Sequence, residues 1–196
     1  ILGPPFADPG FRILQVTEGQ VPVLFVASTE PALADDSALS YSTAFNDTQE
    51  ATAAAELALT QGWGKAVTFT SPGPYFGYNP LVFTEEYTER GGQVLGDFQY
   101  IPGETEDFSD AVAALAANKP DVIFTAMLAA QAVALREQLA AAGVTDVEIL
   151  MPDVFEITNG YNLAGTDGIY HVTHTFVSEG SRMETLDNLL TDSTGV

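Results

Sequence analysis

Cysteine is absent from this chain, and basic residues are scarce. Without a thiol the chain has no disulfide, no thiolate metal ligand and no cysteine nucleophile. Six lysines and arginines stand against 27 aspartates and glutamates, which gives a formal net charge of −21 at pH 7. Six scattered bases cannot follow a phosphate backbone, and the negative field of the molecule repels polyanions. We therefore expect no nucleic-acid partner, and anionic membrane surfaces are poor partners as well.

Long apolar runs are missing as well. The most apolar stretch, residues 122–135, is interrupted by Thr125 and Gln131 and ends at Arg136. It is too short for a transmembrane helix, which needs about 18 apolar residues or more, so we expect no membrane insertion by this chain. Residues 1–10 have neither the basic start nor the apolar stretch of a signal peptide. Apolar residues make up 46% of the 196 residues and charged residues 17%, which is typical of a folded globular protein.

The acidity leads to a prediction about salt. Like charges on a compact surface repel each other, and this repulsion is screened at high ionic strength. We therefore expect a protein of a saline habitat, whose midpoint of thermal unfolding rises as sodium chloride goes from low to marine concentrations. Circular dichroism at matched pH measures the midpoint, with a non-ionic osmolyte at equal osmolality as the control. A midpoint that stays constant or falls with salt would contradict this hypothesis.

Predicted strands and helices alternate along the chain. The strands are short apolar or alternating runs, and the helices carry apolar residues at helical spacing. Strands are predicted at residues 21–27, 40–45, 65–70, 93–101, 122–127, 147–151 and 168–176. Helices are predicted at residues 48–61, 81–90 and 129–142, and between a cap at Asp107 or Ser109 and Asn118. This alternating pattern predicts an α/β fold with a doubly wound parallel sheet, covered by helices on both faces.

Common enzyme and metal signatures are also absent. The sequence has no phosphate-binding loop, no nucleophile elbow and no paired-histidine zinc motif. His171 and His174 lie in a predicted strand, whose period of two places them on opposite faces, so they cannot share a metal. The acids between residues 104 and 110 lack the glycine and the spacing of a calcium loop and are interpreted as a solvated loop. We expect no metal, no cofactor and no enzyme activity.

Several segments in a fixed order resemble one protein family. They are VPVLFVASTEPAL at 21–33, FNDTQEATAAAELALTQGWGKAVTFT at 45–70, PYFG at 74–77, YIPGETEDFSDAVAALAANKPDVIF at 100–124 and ALREQLAAAGV at 134–144. Their order and spacing are similar to those of the type I periplasmic solute-binding proteins. Within these, the resemblance is to the branched-chain amino-acid (leucine, isoleucine, valine) receptor group of ABC transporters.

The resemblance implies a receptor outside the cytoplasm, periplasmic or extracellular. Such proteins have two hinged α/β lobes that close on a small ligand, and a membrane permease recognises the closed form. The ligand implied is an amino acid or a similar small carboxylate. Because family members are nearly twice as long, the chain is interpreted as a partial copy. Residues 47–176 match the second lobe, residues 1–46 a remnant of the first lobe with the crossover, and residues 177–196 a return segment toward the first lobe.

The same resemblance implies ligand contacts in the loop Ala27-Ser28-Thr29. In the family this loop holds the carboxylate and the amine of the ligand through hydroxyls and backbone groups. The residues themselves agree, because the loop follows a buried strand, and open α/β sheets bind ligands at the carboxyl ends of their strands. The alternative is that Ser28 or Thr29 only caps the following helix.

Two further contacts come from the second lobe. Tyr75 matches an aromatic residue that covers the ligand, with Phe76 or Tyr78 as substitutes, and its alternative role is that of a packed loop tyrosine. Asp153 matches an acid that pairs with the ligand's ammonium group, and its alternative role is that of one more surface acid.

Two positions depart from the family. Leu128 or Ala129 stands where the family has an aromatic residue, and Ala7 and Asp8 lie near the position of a family serine. Both departures argue against a strict branched-chain specificity. A small residue near Leu128 either leaves room for a larger ligand or makes none of the expected contacts.

Two other functions remain open from the sequence. One is a ligand-binding sensory domain of the same fold. The other is a hydrolase that uses Asp153 with Ser28, against which stands the lack of a visible base to activate the serine.

Overall fold

The computed structural model describes residues 1–173 together with Gly180 and Thr185. These residues form a two-stranded and a five-stranded parallel sheet. The strands are β1 (Val23–Phe25), β2 (Ser40–Ser42), β3 (Lys65–Thr70), β4 (Gln93–Gln99), β5 (Val122–Thr125), β6 (Glu148–Met151) and β7 (Tyr170–His171). The helices are α1 (Ala7–Thr17), α2 (Pro31–Asp35), α3 (Asp47–Thr60), α4 (Pro74–Glu89), α5 (Ser109–Asn118), α6 (Ala129–Ala141) and α7 (Val154–Ile157), with one 3₁₀ turn at Gly160–Asn162.

The five-stranded sheet is doubly wound, as predicted. Its strand order is β4-β3-β5-β6-β7. Along β3, Val67 and Phe69 pack against α5 and α6, whereas Ala66 packs on the opposite face against α3 and α4. Ile123 and Phe124 of β5 divide between the two faces in the same way. Strands β3 and β5 therefore bury both of their faces, which explains why β5 is almost entirely apolar.

The predicted helix at residues 81–90 is wrong at its start. Helix α4 begins at Pro74, and Pro80 lies inside it. A proline inside a helix cannot donate to the carbonyl four residues earlier, so the sequence favoured a break there. In the structure that carbonyl, on Phe76, accepts a hydrogen bond from the Ser71 N–H at 3.3 Å. Tyr75 consequently lies in the first turn of a helix and not in a loop.

Helix α1 was not predicted, because Pro9 and Gly10 resemble a turn. Both lie near the helix start, where the missing N–H of proline costs no helical hydrogen bond. Gly10 is buried against α2, and a Cβ atom there would lie 2.9 Å from a methyl carbon of Leu33. The absence of a side chain at Gly10 therefore allows α1 and α2 to pack closely against each other.

The predicted ends of the outer strands also differ from the structure. Strand β1 is shorter than residues 21–27, with Val21 and Val26 exposed on either side of it. Strand β7 begins at Tyr170, whereas residues 174–176 of the predicted strand, including His174, lie outside the described residues.

The predicted segment boundaries can be placed on these elements. Residues 1–46 contain the two-stranded sheet with α1 and α2, and residues 47–171 contain the five-stranded sheet. Apart from Gly180 and Thr185, the predicted return segment 177–196 lies outside the described residues. Among the helices that the structure describes, none combines the length and the apolar character that crossing a membrane requires.

Helix α3 starts directly after the crossover between the sheets. Its N-cap, Asn46, accepts a hydrogen bond from the Gln49 N–H, and the Gln49 side chain accepts one from the Asn46 N–H, both at 3.0 Å. This capping box satisfies two backbone donors and fixes the first residue of the helix, Asp47.

Candidate functional site

A cavity of about 640 Å³ lies between the loop after β1 and the carboxyl ends of β3, β5 and β6. Next to β3 the chain leaves toward β4 and returns to β5, so the strand order reverses there. Ligands of open α/β sheets bind at such a reversal. All the predicted ligand contacts line this cavity, namely Ala27, Ser28, Thr29, Tyr75, Leu128 and Asp153. Their shared location is a structural fact, and their role in binding stays a prediction.

The loop after β1 is tied to the five-stranded unit. Ser28 and Thr29 are buried, and the Thr29 carbonyl accepts a hydrogen bond from the Asp47 N–H at 2.8 Å. The N-cap of α2 is Glu30, whose own carboxylate accepts from the Ala32 N–H at 3.1 Å. The alternative in which Ser28 or Thr29 caps this helix is therefore wrong.

Tyr75 connects two elements of the cavity wall. Its hydroxyl donates a hydrogen bond to the Asp153 carboxylate and accepts one from the Val154 N–H at 3.1 Å. Burial raises the pKa of Tyr75 well above its usual value, so the hydroxyl keeps its proton and acts as a donor. Of the predicted substitutes, Phe76 lines the cavity beside Tyr75, whereas the hydroxyl of Tyr78 contacts Thr48 at 2.9 Å.

Asp153 is not a surface acid, because only 9% of it is exposed. It lies two residues after the end of β6, and its backbone N–H donates to Oε1 of Glu50 at 2.6 Å. The carboxylate is thus held on one side by the Tyr75 hydroxyl and, through its backbone, on the other side by α3.

Two buried acids on α3, Asp47 and Glu50, were missed by the sequence reasoning. They are 1% and 0% exposed. Asp47 lines the cavity, and Glu50 lies behind Asp153. A signal for them exists in the sequence, since they share the helical spacing of the buried alanine stripe. That stripe consists of Ala51, Ala54, Ala55 and Ala58.

Burial controls the charge of both acids. It penalises the ionised form and raises the pKa of Glu50 to about 9, with repulsion from Asp153 adding to the rise and the Asp153 N–H opposing it. It raises the pKa of Asp47 to about 7, partly offset by the Thr29 hydroxyl. At neutral pH Glu50 is therefore uncharged, and Asp47 is divided between its two forms.

The rest of the cavity wall is largely apolar. Leu128 precedes α6 and is half-buried, whereas its neighbour Ala129 is fully buried and does not line the cavity. Of the other departing positions, Ala7 lines the cavity and Asp8 does not. Among the described residues that line it, none is lysine, arginine or histidine.

The structure offers no metal centre in its described part, where no group of three or more histidines, aspartates and glutamates is placed to hold an ion. His171 stacks on Phe155 with ring centres 4.6 Å apart, and its Nε2 lies 2.7 Å from the Tyr161 hydroxyl. This histidine does not line the cavity.

Solved structures of solute-binding proteins are similar to this chain over its whole length. The leucine-binding protein of Thermotoga maritima matches with a TM-score of 0.79 and 22% identity, over 100% of this chain and 57% of that chain. A branched-chain amino-acid ABC transporter periplasmic ligand-binding protein of Burkholderia xenovorans matches with a TM-score of 0.83 and 15% identity, over 100% and 54%. At such identities the likeness shows the fold alone.

A third similar structure contains an aromatic acid. It is a solute-binding protein of an ABC transporter from Rhodopseudomonas palustris in complex with 3,4-dihydroxybenzoic acid, with a TM-score of 0.75 and 19% identity, over 100% of this chain and 55% of that chain. The chain thus spans just over half the length of these proteins. No curated protein sequence matches it.

The sequence profile of one family matches residues 1–186, nearly the whole chain. It is the periplasmic binding protein family, and the solved structures described above share the fold of this chain. The resemblance seen in the sequence is therefore confirmed: this chain belongs to the periplasmic binding protein family.

Proposed function

We propose that this chain is part of an extracytoplasmic receptor of an ABC transporter, which binds an amino acid or a similar small molecule between two hinged lobes. One observation carries the proposal: the loop after β1 and the ends of β3, β5 and β6 bring their side chains to one cavity. Ser28, Thr29 and the acid Asp153 all line it. A ligand that touches both sides binds the closed arrangement better and shifts the population toward it.

The partner of the closed form is a membrane permease. Similar structures support this, since they are solute-binding proteins of ABC transporters, and one of them is a leucine-binding protein. A hydrolase is less well supported. Ser28 and Asp153 do line one cavity, but the described lining residues include no histidine or lysine to take a proton from the serine.

A thermal-shift screen of the full-length gene product tests the proposal. A ligand at a hundred times its dissociation constant stabilises the folded state by about 2.7 kcal/mol, which raises the unfolding midpoint by several degrees. We expect such a rise for one chemical group among L-amino acids and small carboxylates. All compounds are compared at matched ionic strength, because salt alone affects an acidic protein. A folded protein whose midpoint responds to none of them would contradict a receptor for these solutes.

A further inference from the structure

The acids of the cavity wall stand in the way of a ligand that carries a carboxylate. Among the described residues that line the cavity, the charged side chains are those of Glu30, Asp47 and Asp153, and none is basic. A ligand carboxylate brings one more negative charge into a partly dry space, where like charges repel strongly. This repulsion is relieved when one of the wall acids takes up a proton, because a nearby like charge disfavours the ionised form of a carboxyl group.

Asp47 is the acid that is best placed to take up this proton. It is 1% exposed, which makes it more deeply buried than Asp153 or Glu30. It is also the first residue of α3, and its backbone N–H donates to the Thr29 carbonyl at 2.8 Å. Asp47 therefore lies directly against the loop after β1, where the proposed function places the carboxylate of the ligand.

The Thr29 hydroxyl connects the charge of Asp47 to this loop. It lies beside the Asp47 carboxyl and lowers its pKa, as the Asn79 side chain on α4 also does. Both groups thus act as donors to the ionised form. A hydroxyl has a single proton to donate, so Thr29 cannot donate to ionised Asp47 and to a ligand carboxylate at the same time.

We propose that Asp47 takes up a proton when a small carboxylate binds at the loop Ala27-Ser28-Thr29, so that ligand and proton enter the cavity together. Proton uptake removes a like charge and makes the Thr29 hydroxyl available to the ligand. Asp47 is then a positioning residue, which acts through Thr29. This inference rests on the proposed function and adds to it a dependence of affinity on pH.

The surroundings of Asp47 determine the pH range of this coupling. The groups that face it are Thr29 and Glu30 near β1, Asn79 on α4, Asp153 after β6, and Glu50 one turn further along α3. Burial raises the pKa of Asp47 to about 7. The protonated form therefore predominates at pH 6 and is the minor form at pH 8. If this form alone binds a carboxylate, the affinity falls about tenfold between the two pH values.

Titration calorimetry on the full-length gene product tests the inference. The probes are L-leucine, L-phenylalanine and benzoate, together with any other L-amino acid that raises the unfolding midpoint. We expect the dissociation constant of each bound probe to rise about tenfold from pH 6 to pH 8 at matched ionic strength. At pH 8 the observed enthalpy should differ between phosphate and Tris buffers, because close to one proton is taken from the buffer for each bound probe. Benzoate has no ammonium group, so its pH dependence cannot come from an amine.

The variant Asp47→Asn keeps the size of the side chain and is neutral at every pH. We expect it to bind the probes at pH 8 about tenfold more tightly than the wild type, with an affinity that no longer depends on pH. A merely structural role of Asp47 would make binding weaker instead. Asp110→Asn changes the net charge equally on the exposed start of α5 and is expected to bind like the wild type.

A second variant changes the pKa of Asp47 and leaves its carboxyl in place. Asn79→Ala removes a group that lowers this pKa, and Asn79 does not line the cavity. We expect the fall in affinity to move to higher pH in this variant. If either variant fails to fold, the comparison of buffers on the wild type still decides.

The possible outcomes separate the two proposals. An affinity that is constant or rises between pH 6 and pH 8, equal enthalpies in the two buffers, or a pH dependence that persists in Asp47→Asn would overturn proton uptake by Asp47 and leave the receptor function intact. Failure of every probe to bind a folded protein would overturn both.

Discussion

Replacing Glu50 by alanine is expected to destabilise the protein by about 3–5 kcal/mol, whereas Glu50→Gln should remain folded with a small loss. Glu50 is fully buried, and its Oε1 accepts the hydrogen bond from the Asp153 N–H. Alanine leaves a cavity and a buried donor without an acceptor, whereas glutamine keeps both the volume and the carbonyl oxygen. Denaturant unfolding followed by circular dichroism measures the difference. Equal stability of the two variants would show that this hydrogen bond has no structural role.

The same residue should give stability an unusual dependence on pH. The pKa of Glu50 is 4.5 for the free group and about 9 in the folded protein. The folded state therefore binds the proton more tightly, so the stabilisation is fully present below pH 4.5 and is lost as the pH rises through 9. Each pKa unit corresponds to about 1.4 kcal/mol, so the loss over this window is on the order of several kcal/mol.

Glu50→Gln isolates this effect, because glutamine cannot ionise. Between pH 5 and pH 9, about the window of the shift, the wild type should lose more stability than Glu50→Gln. Glu137→Gln removes an exposed acid on α6 and controls for the change in net charge. Parallel pH profiles for the wild type and Glu50→Gln would mean that Glu50 is ionised in the folded protein.

Removing the hydroxyl of Tyr75 should weaken ligand binding by about ten- to a hundredfold with a small effect on folding. In Tyr75→Phe, Asp153 loses a donor and the Val154 N–H loses its acceptor. The acid is then no longer held toward the cavity, while the ring still fills its place. Tyr78→Phe is the matched control, since the Tyr78 hydroxyl contacts Thr48 and this tyrosine does not line the cavity.

Titration calorimetry with a ligand found in the thermal screen gives the dissociation constants of both variants. Unfolding midpoints measured alongside separate a loss of binding from a loss of structure. If Tyr75→Phe binds like Tyr78→Phe, the hydroxyl does not position the acid, and the ring alone accounts for the contribution of Tyr75 to binding.

The sequence predicted the five-stranded sheet because short, largely apolar strands that alternate with helices are typical of a parallel sheet covered on both faces. Strand β3 was expected at residues 65–70 and lies there, and Val67 and Ala66 face opposite helical layers as a buried parallel strand requires. The start of α4 was not predictable from local rules. Pro80 favours a break in the helix because it cannot donate a hydrogen bond to the Phe76 carbonyl. In the structure the Ser71 N–H donates to that carbonyl instead, and this contact is not visible in the local sequence.

The site residues that follow strand ends could be predicted from the sequence. The buried acids of the site could not. Tyr75 and Asp153 each come shortly after a strand, so the edge of the sheet on which they lie was known before their contacts were. Asp47 and Glu50 are two of 27 acidic residues, and acidic residues are usually expected at the protein surface. Only their phase with the buried alanines distinguishes them, and an acid in such a stripe is unexpected on energetic grounds.

The mouth of the cavity has one practical consequence. Phe6, 62% exposed, lines it from the N-terminal unit, and Ile157, 66% exposed, lines it from α7. Since the chain has no thiol of its own, Phe6→Cys with Ile157→Cys would provide two unique attachment points for spin labels. The distance distribution between the labels, recorded with and without ligand, would then measure how far the two units move relative to each other.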